Sequence, residues 1–446
     1  MPAANGHTRV VAASAIDDNA SCWVAELPPW APAPSLDGDL VADVVVVGGG
    51  LTGTSAAWHL ARRSPGLGIV LLEAKSLANG ATGRSGGQVL NGVNGIEPRD
   101  AEQARRVRDA TMTGIAIVEE MAAASSLDAG FRREGALEVA TTARSAAAAR
   151  LRVERARASG IPLRWIDAPA AGLAGAHGAV LDPDAARMNP AALVRGMREP
   201  LRRLGVEVRE NSPVTGIREG TTIEVLTASG SVRAAAMVLA TNAYSPSLGF
   251  FRDRILPLHS RVVATGPLDD ATWSRLGAAS RSGFADDLDR IAYGCRTPGG
   301  RLLFGGGSNA AYEYRFGGSP LSPPATARRF GEIESKLAGY FPAVAASSRV
   351  ELRWSGPLAI TFDRVCSIGV TGACRNVYYG LGYSGHGLAL SALAGRVIAD
   401  LHAGDAARWQ GLPFVGRRLP WIPPEPLRWL GYQAYTRMTG RSPRRR

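Results

Sequence analysis

Asp43-Val44-Val45-Val46-Val47-Gly48-Gly49-Gly50-Leu51-Thr52-Gly53, followed by Ile69-Val70-Leu71-Leu72-Glu73, decides the fold. Four consecutive valines ending in glycine predict a strand buried on both faces, as in a parallel sheet. Thr52 to Arg63 predicts a helix, and Ile69 to Glu73 the next strand. Gly48, Gly50 and Gly53 fit G-x-G-x-x-G at the strand-to-helix turn, with Glu73 twenty residues after Gly53. That context turns a weak pattern into a specific one. Gly48 makes the tight turn, Gly50 admits a pyrophosphate, Gly53 lets helix and strand pack closely, and Glu73 meets ribose hydroxyls. Leu51 and Thr52 open the helix, whose N-terminal N–H groups face the phosphates.

The motif alone does not separate FAD from NAD. The following segment, Lys75 to Gln88, does: Gly80-Ala81-Thr82-Gly83-Arg84-Ser85-Gly86-Gly87-Gln88 is a long run of small residues where a nicotinamide-only fold normally enters another helix. Such a loop lets backbone pass along an extended cofactor without side-chain clash. The sequence therefore points to FAD.

Outward from this unit, helices are predicted over 98–126 and 142–159, and a strand at Gly205 to Arg209. Short strands at 214–217, 223–227 and 231–234 form a meander, and Met237 to Ala240 returns as an apolar strand. Residues 255–360 read as strands with short turns and one helix, 325–341; Val377 to Tyr379 and a helix over 388–402 restore α/β character. The expected fold is α/β: a Rossmann-type FAD-binding domain, with a central parallel sheet and a three-stranded meander, plus an α+β substrate domain with an antiparallel sheet. The expected boundaries are a lead-in over 1–40, a discontinuous FAD-binding domain over 41–125, 180–254 and 361–405, a substrate domain over 126–179 and 255–360, and an extension over 406–446. The Pro-rich lead-in around Trp23 to Trp30 is expected to lie over the surface.

Charge is uneven. The formal net charge is +12, yet Lys75 and Lys336 are the only lysines. From Arg408 onward there are nine arginines and one acid, Glu425. This reads first as a solvated, frayed tail and second, because Trp421, Leu427, Trp429, Leu430 and Tyr432 lie among the arginines, as a peripheral membrane contact. No nucleic-acid-binding motif accompanies it. Cys22, Cys295, Cys366 and Cys374 have no CxxC spacing, which argues against a structural metal site. With no secretory signal pattern and no long apolar run, the expected location is cytoplasmic.

Four segments, 44–73, 80–88, 237–244 and 379–387, resemble the glycine oxidase, sarcosine oxidase and D-amino-acid oxidase family. Within it, Gly-Ala-Thr-Gly-Arg-Ser-Gly-Gly-Gln is most similar to the γ-glutamylputrescine oxidase branch. The resemblance implies that Glu73 and Ala74 hold the adenosine ribose and that Val214 meets the adenine edge. It implies that Arg84, Ser85, Gly86, Gly87 and Gln88 lie along the isoalloxazine ring, with Thr241 and Asn242 beside the cofactor. Gly382, Tyr383, Ser384, Gly385, His386 and Gly387 then face the flavin pyrimidine, where helix N–H groups stabilise negative charge. Relatives that attach flavin covalently use a Cys near the segment matching 354–357 or a His where Arg84 stands. Neither is present, so FAD is expected to be non-covalent. The lysine that serves oxygen chemistry in sarcosine oxidase is missing from 290–304. Dioxygen and a quinone or other acceptor therefore both stay open.

The implied activity is oxidation of the C–N bond of an amine or amino acid by hydride transfer to flavin N5. It gives an imine, then an aldehyde with ammonia or amine, and H2O2 where oxygen is the acceptor. A dehydrogenase using another acceptor and a non-catalytic flavin-binding protein are the alternatives. His386, His259, Tyr293 and Arg296 are the candidate substrate-side residues; for His386, flavin tuning and loop stabilisation stand equal.

Overall fold

The computed structural model describes residues 8–10, 16–96, 99–316 and 322–439. Two nine-stranded sheets dominate these described residues. In the first, strands Glu207–Arg209, Ile69–Leu72, Leu40–Val47, Ser231–Leu239 and Val377–Leu381 run parallel. The valine run is buried on both sides, as a parallel interior requires. Val44 and Val46 enter the core beneath the helices, while Val45 and Val47 enter a second core under the meander. Burying each valine contributes about 1.5–3 kcal/mol.

Helix α1 (Leu51–Arg63) follows the first strand, and helix α2 (Gly387–His402) packs across it. Small residues let these backbones touch. Ser55 Oγ donates to the Ala392 carbonyl at 2.7 Å, and a Cβ on Gly395 would overlap Ser55. The meander is Gly216–Arg218, Ile223–Leu226 and the start of Ser231–Leu239. The two strands expected at 231–234 and 237–240 are one: its first half pairs with the meander and its second half with Val377–Leu381.

The second sheet is largely antiparallel, with long strands Leu256–Pro267 and Val350–Ile360 paired to each other. Ala136–Val139 and Ala179–Asp182 extend it at the far side. The helix Pro323–Tyr340 covers one face through Phe330, Ile333 and Leu337. The other face roofs a cavity against the first sheet.

Both ends of the chain depart from expectation. The lead-in adds an edge strand, Thr8–Val10, to the first sheet. It also contains a helical turn, Cys22–Ala25, whose Trp23 is fully buried. Trp23 thus departs from the surface placement expected for this segment, whereas Ala25, Pro28 and Pro29 are exposed. The C-terminal extension is not a frayed tail within its described part. Trp409 and Phe414 are buried, and Leu427–Thr439 forms a helix, α3. Arginines 441 and 444–446 lie outside the described residues.

Candidate active site

The glycine motif builds a narrow cradle. Gly48 has φ +110°, and a Cβ there would stand 2.9 Å from the Ala240 carbonyl oxygen. A Cβ on Gly53 would overlap the Gly48 carbonyl oxygen, so only glycine lets α1 sit this close to the strand. Gly50 caps α1 without a side chain, and no acid occupies the first turn. Leu51 N donates to Thr82 Oγ1 at 3.1 Å, fixing the flavin-side loop to the helix start. Glu73 accepts from Gly49 N at 2.7 Å and from Lys75 N at 3.0 Å, and burial pushes its carboxyl pKa up. Gly48, Gly50, Leu51, Thr52, Glu73, Ala74 and Val214 all line the cavity. Gly53 does its work behind it. The donor-rich helix start, the side-chain-free turn and the terminal carboxylate fit a dinucleotide.

The 80–88 loop is held from behind by the lead-in. Ser21 Oγ donates to Gly83 O at 2.6 Å, Asn19 Nδ2 to the same oxygen at 2.8 Å, and Trp23 Nε1 to Ser85 O at 2.7 Å. The Arg84 guanidinium donates to the carbonyls of Asn79 (2.8 Å), Asp17 (2.8 Å) and Ser355 (3.1 Å). The side chain expected along the ring system thus ties three segments together while still lining the cavity. Ser85, Gly86 and Gln88 also line it. Gly87 turns away: its φ is +70°, and a Cβ would meet the Trp23 ring and the Met188 carbonyl. Gln88 Nε2 donates to Phe284 O and Gly294 O, both at 3.2 Å, leaving Oε1 buried without a hydrogen bond.

The loop before α2 closes the opposite side. Gly382 (φ +75°) and Gly385 (φ +102°) allow the reversal. Gly382 N donates to Asn242 Oδ1 at 3.0 Å, and the Tyr383 hydroxyl lies 2.9 Å from Thr52 Oγ1. Asn94 Nδ2 donates to Ser384 O at 2.7 Å. His386 is the N-cap residue of α2, and no acid sits in the helix's first turn. Thr241, Asn242, Tyr383, Ser384, Gly385, His386 and Gly387 reach the cavity, whereas Gly382 packs against Thr361 behind it.

On the roof, Leu256, Leu258 and Ser260 project inward from alternate positions of one strand. Tyr293 lies 3.1 Å from Ser260 Oγ through its hydroxyl and packs over Gly86 and Gly305, where any Cβ would collide with its ring. Burial raises its phenol pKa, so the group stays protonated. Two expected residues are absent from the cavity wall. His259 lies on the other side of its strand, paired in register with Glu313, and burial lowers its pKa to about 4. Arg296 stacks over Trp273 at 4.8 Å, 3.8 Å from Asp270. In both cases a one-residue change of strand parity decides the face, and a short irregular run does not reveal parity.

Sequence reading missed Asn91, Tyr244, Arg290 and the inner face of α3, all of which line the cavity. The 3–4 spacing of Arg428, Tyr432 and Tyr435 was the available signal for α3.

The cavity measures about 1210 Å³ and runs from the glycine cradle, beneath Tyr293, to α3. A single ligand site usually spans ~300–1,000 Å³, so this volume has room for a dinucleotide and a second molecule. A Rossmann-type cradle that opens into a roofed chamber defines the class: a flavin-dependent oxidoreductase of the two-sheet type. Residues 43–401 match the family described as DAO, FAD dependent oxidoreductase. The chain is 32% identical over 429 residues to gamma-glutamylputrescine oxidoreductase of Escherichia coli (strain K12), covering 91% of this chain and 96% of that protein. It is 27% identical over 378 residues to 4-methylaminobutanoate oxidase (formaldehyde-forming) of Paenarthrobacter nicotinovorans, covering 80% of this chain and 43% of that protein. The crystal structure of glycine oxidase from Geobacillus kaustophilus aligns with a TM-score of 0.71 at 20% identity, covering 85% of this chain and 100% of that one. The chain belongs to the DAO family of FAD-dependent oxidoreductases.

Proposed function

We propose that this protein oxidises the C–N bond of an elongated amine similar to γ-glutamylputrescine, using non-covalently held FAD. The observation that carries the reading is the single cavity that joins the dinucleotide cradle to a roofed chamber lined by Tyr293, Ser260 and His386. The relative 32% identical over nearly the whole chain supports the substrate class. Among the described residues no cysteine lines the cavity, which supports a non-covalent cofactor.

FAD, when bound, supplies the acceptor for a hydride equivalent from the carbon beside nitrogen. The chain's own part is positioning and exclusion of water. The Tyr293 hydroxyl, fixed by Ser260, offers a polar contact beside the apolar Leu256 and Leu258 of the roof. The N-terminus of α2, with His386 at its cap, lines the cavity and would offer N–H dipoles to negative charge on a bound flavin. The product imine hydrolyses in water to an aldehyde and ammonia or amine.

The test is anaerobic bleaching of flavin absorbance against γ-glutamylputrescine, putrescine, sarcosine, glycine and D-amino acids. Fast bleaching by the first is expected; bleaching by none of them rejects the activity. A second reading, a dehydrogenase with a non-oxygen acceptor, is favoured by the wall itself: among the described residues no lysine lines the cavity. Stoichiometric H2O2 release in air rejects that reading.

A further inference from the structure

Helix α3 is the last described element of the chain, and it is built into the cavity. Arg428, Gly431, Tyr432 and Tyr435, spaced three or four apart, form one face that lines the chamber. Leu430, on the other side, is 51% exposed.

The helix is fastened to the roof around the chamber's outer end. The Tyr432 ring meets Tyr314 at 5.8 Å between centroids, and Trp429 meets Phe316 at 5.9 Å. Arg364 Nη2 donates to the Tyr435 hydroxyl at 2.8 Å, and Arg290 lies over the Tyr435 ring at 5.0 Å. Asn309 Nδ2 donates to Thr436 O at 3.0 Å. These contacts come from three separate loops and strands of the second sheet, so α3 closes a space that the sheet leaves open.

The rim beside α3 carries charges of both signs. Arg290, Arg364 and Arg428 line it together with Asp289. The hydrogen bonds of Arg428 go to the carbonyls of Pro423 (2.9 Å) and Arg252 (2.7 Å), and that of Arg364 goes to a phenol. Among the described residues, Arg364 and Arg428 form no ion pair with a carboxylate. Glu425, next to the helix start, accepts from Trp429 N at 3.1 Å and bonds the Tyr314 hydroxyl. Guanidinium groups and the Asp289 carboxylate at one rim are the partners that a zwitterionic amino-acid group needs.

We infer that α3 forms a distal subsite that selects elongated amines whose far end is a zwitterionic α-amino-acid group, with Tyr432 and Tyr435 as specificity-determining residues. The inference rests on the amine-oxidising reading above and deepens it. A short amine fills only the flavin end of the chamber, whereas a long one spans it and gains the contacts on α3. Binding at a remote group of this kind acts on affinity more than on the chemical step.

The experiment compares the full chain with three variants: termination after Pro426, Tyr432→Ala, and Leu430→Ala as a surface control. Flavin content and circular dichroism establish that each variant is folded and loaded. Anaerobic flavin reduction is then titrated with γ-glutamylputrescine, N-acetylputrescine and putrescine. In the full chain γ-glutamylputrescine should half-saturate at least about tenfold below N-acetylputrescine. The truncated and Tyr432→Ala proteins should lose that preference while the limiting rate changes less than about threefold; Leu430→Ala should keep it. Retention of the preference by both inner-face variants overturns the inference. Acrylamide quenching of flavin fluorescence gives a second readout that needs no turnover: truncation should at least double the quenching constant. If no amine reduces the full-chain flavin, the amine-oxidising reading fails, and an unchanged quenching constant separately rejects α3 as the chamber wall.

Discussion

His59 shows how a single residue couples the dinucleotide helix to pH. It lies in α1 beside the Trp58 ring, with Nε2 buried and without a hydrogen-bond partner. Burial, reinforced by Arg396 and Arg62, lowers its pKa to about 3. The unfolded chain takes up a proton on this histidine near pH 6.5, and the folded chain does not until about pH 3. The contribution to stability is therefore complete above pH 6.5 and is lost as the pH falls, by up to about 1.4 kcal/mol per pH unit. Urea unfolding between about pH 7.5 and pH 5 should show a shallower slope for His59→Leu than for the parent. Equal slopes would rule out His59 as a source of acid sensitivity. Tyr293 and Gly86 make the complementary point about geometry: the tyrosine ring occupies the space that a Cβ on Gly86 would take, so the large wall residue fits only over a glycine.

At the scale of elements, the lead-in and the 80–88 loop act as one unit. Arg84 is 3% exposed, and its guanidinium serves Asp17 O, Asn79 O and Ser355 O, with the Asp17 carboxylate 3.2 Å away. These three acceptors belong to the lead-in, the loop and the second sheet. Arg84→Ala leaves buried carbonyls unpaired and should cost about 2–4 kcal/mol. Arg84→Lys should not restore it, because an ammonium cannot reproduce the planar fork. The flavin-to-protein ratio should fall in both, since the loop that lines the chamber loses its rear support. Urea unfolding with flavin absorbance checks this; parental stability in Arg84→Ala would show the three bonds to be dispensable. Helix α2 illustrates the same dependence: its start at His386 is positioned by Asn94 and Asn242, from two other segments.

At the scale of the molecule, the cavity lies between the two sheets, so whatever fills it touches both. FAD held by the cradle on one sheet would lie against the roof residues Tyr293 and Ser260 on the other, and so should link their unfolding. At about 100 times its dissociation constant, FAD should add ~2.7 kcal/mol to the stability of the whole chain. Circular dichroism and flavin fluorescence should then report one coincident transition in urea. Separated transitions would show that the cofactor stabilises the first sheet alone. Among the described residues no helix is long and apolar enough to cross a membrane. Of the apolar residues of the C-terminal extension that were read as a membrane contact, Trp429 and Tyr432 face Phe316 and Tyr314 of the fold, while Trp421, Leu427 and Leu430 are exposed.

The sequence by itself determined the dinucleotide cradle, because each part of it is local. The valine run, the three glycines and Glu73 lie within one strand–helix–strand unit, where spacing fixes geometry. The loop from Gly80 to Gln88 and the turn before α2 were legible for the same reason, since small residues in a row state how closely another surface approaches. Tertiary structure alone decided the substrate side. Tyr293 faces the chamber while His259 and Arg296 do not, because strand pairing sets the parity of each side chain. Trp23 is buried because the 80–88 loop lies over it, a contact across some sixty residues of chain. The basic C-terminal segment read as a solvated tail because its own composition is polar. Only docking against Tyr314, Phe316 and Arg364 shows that α3 completes the chamber, and such long-range contacts leave no periodic trace in the residues that make them.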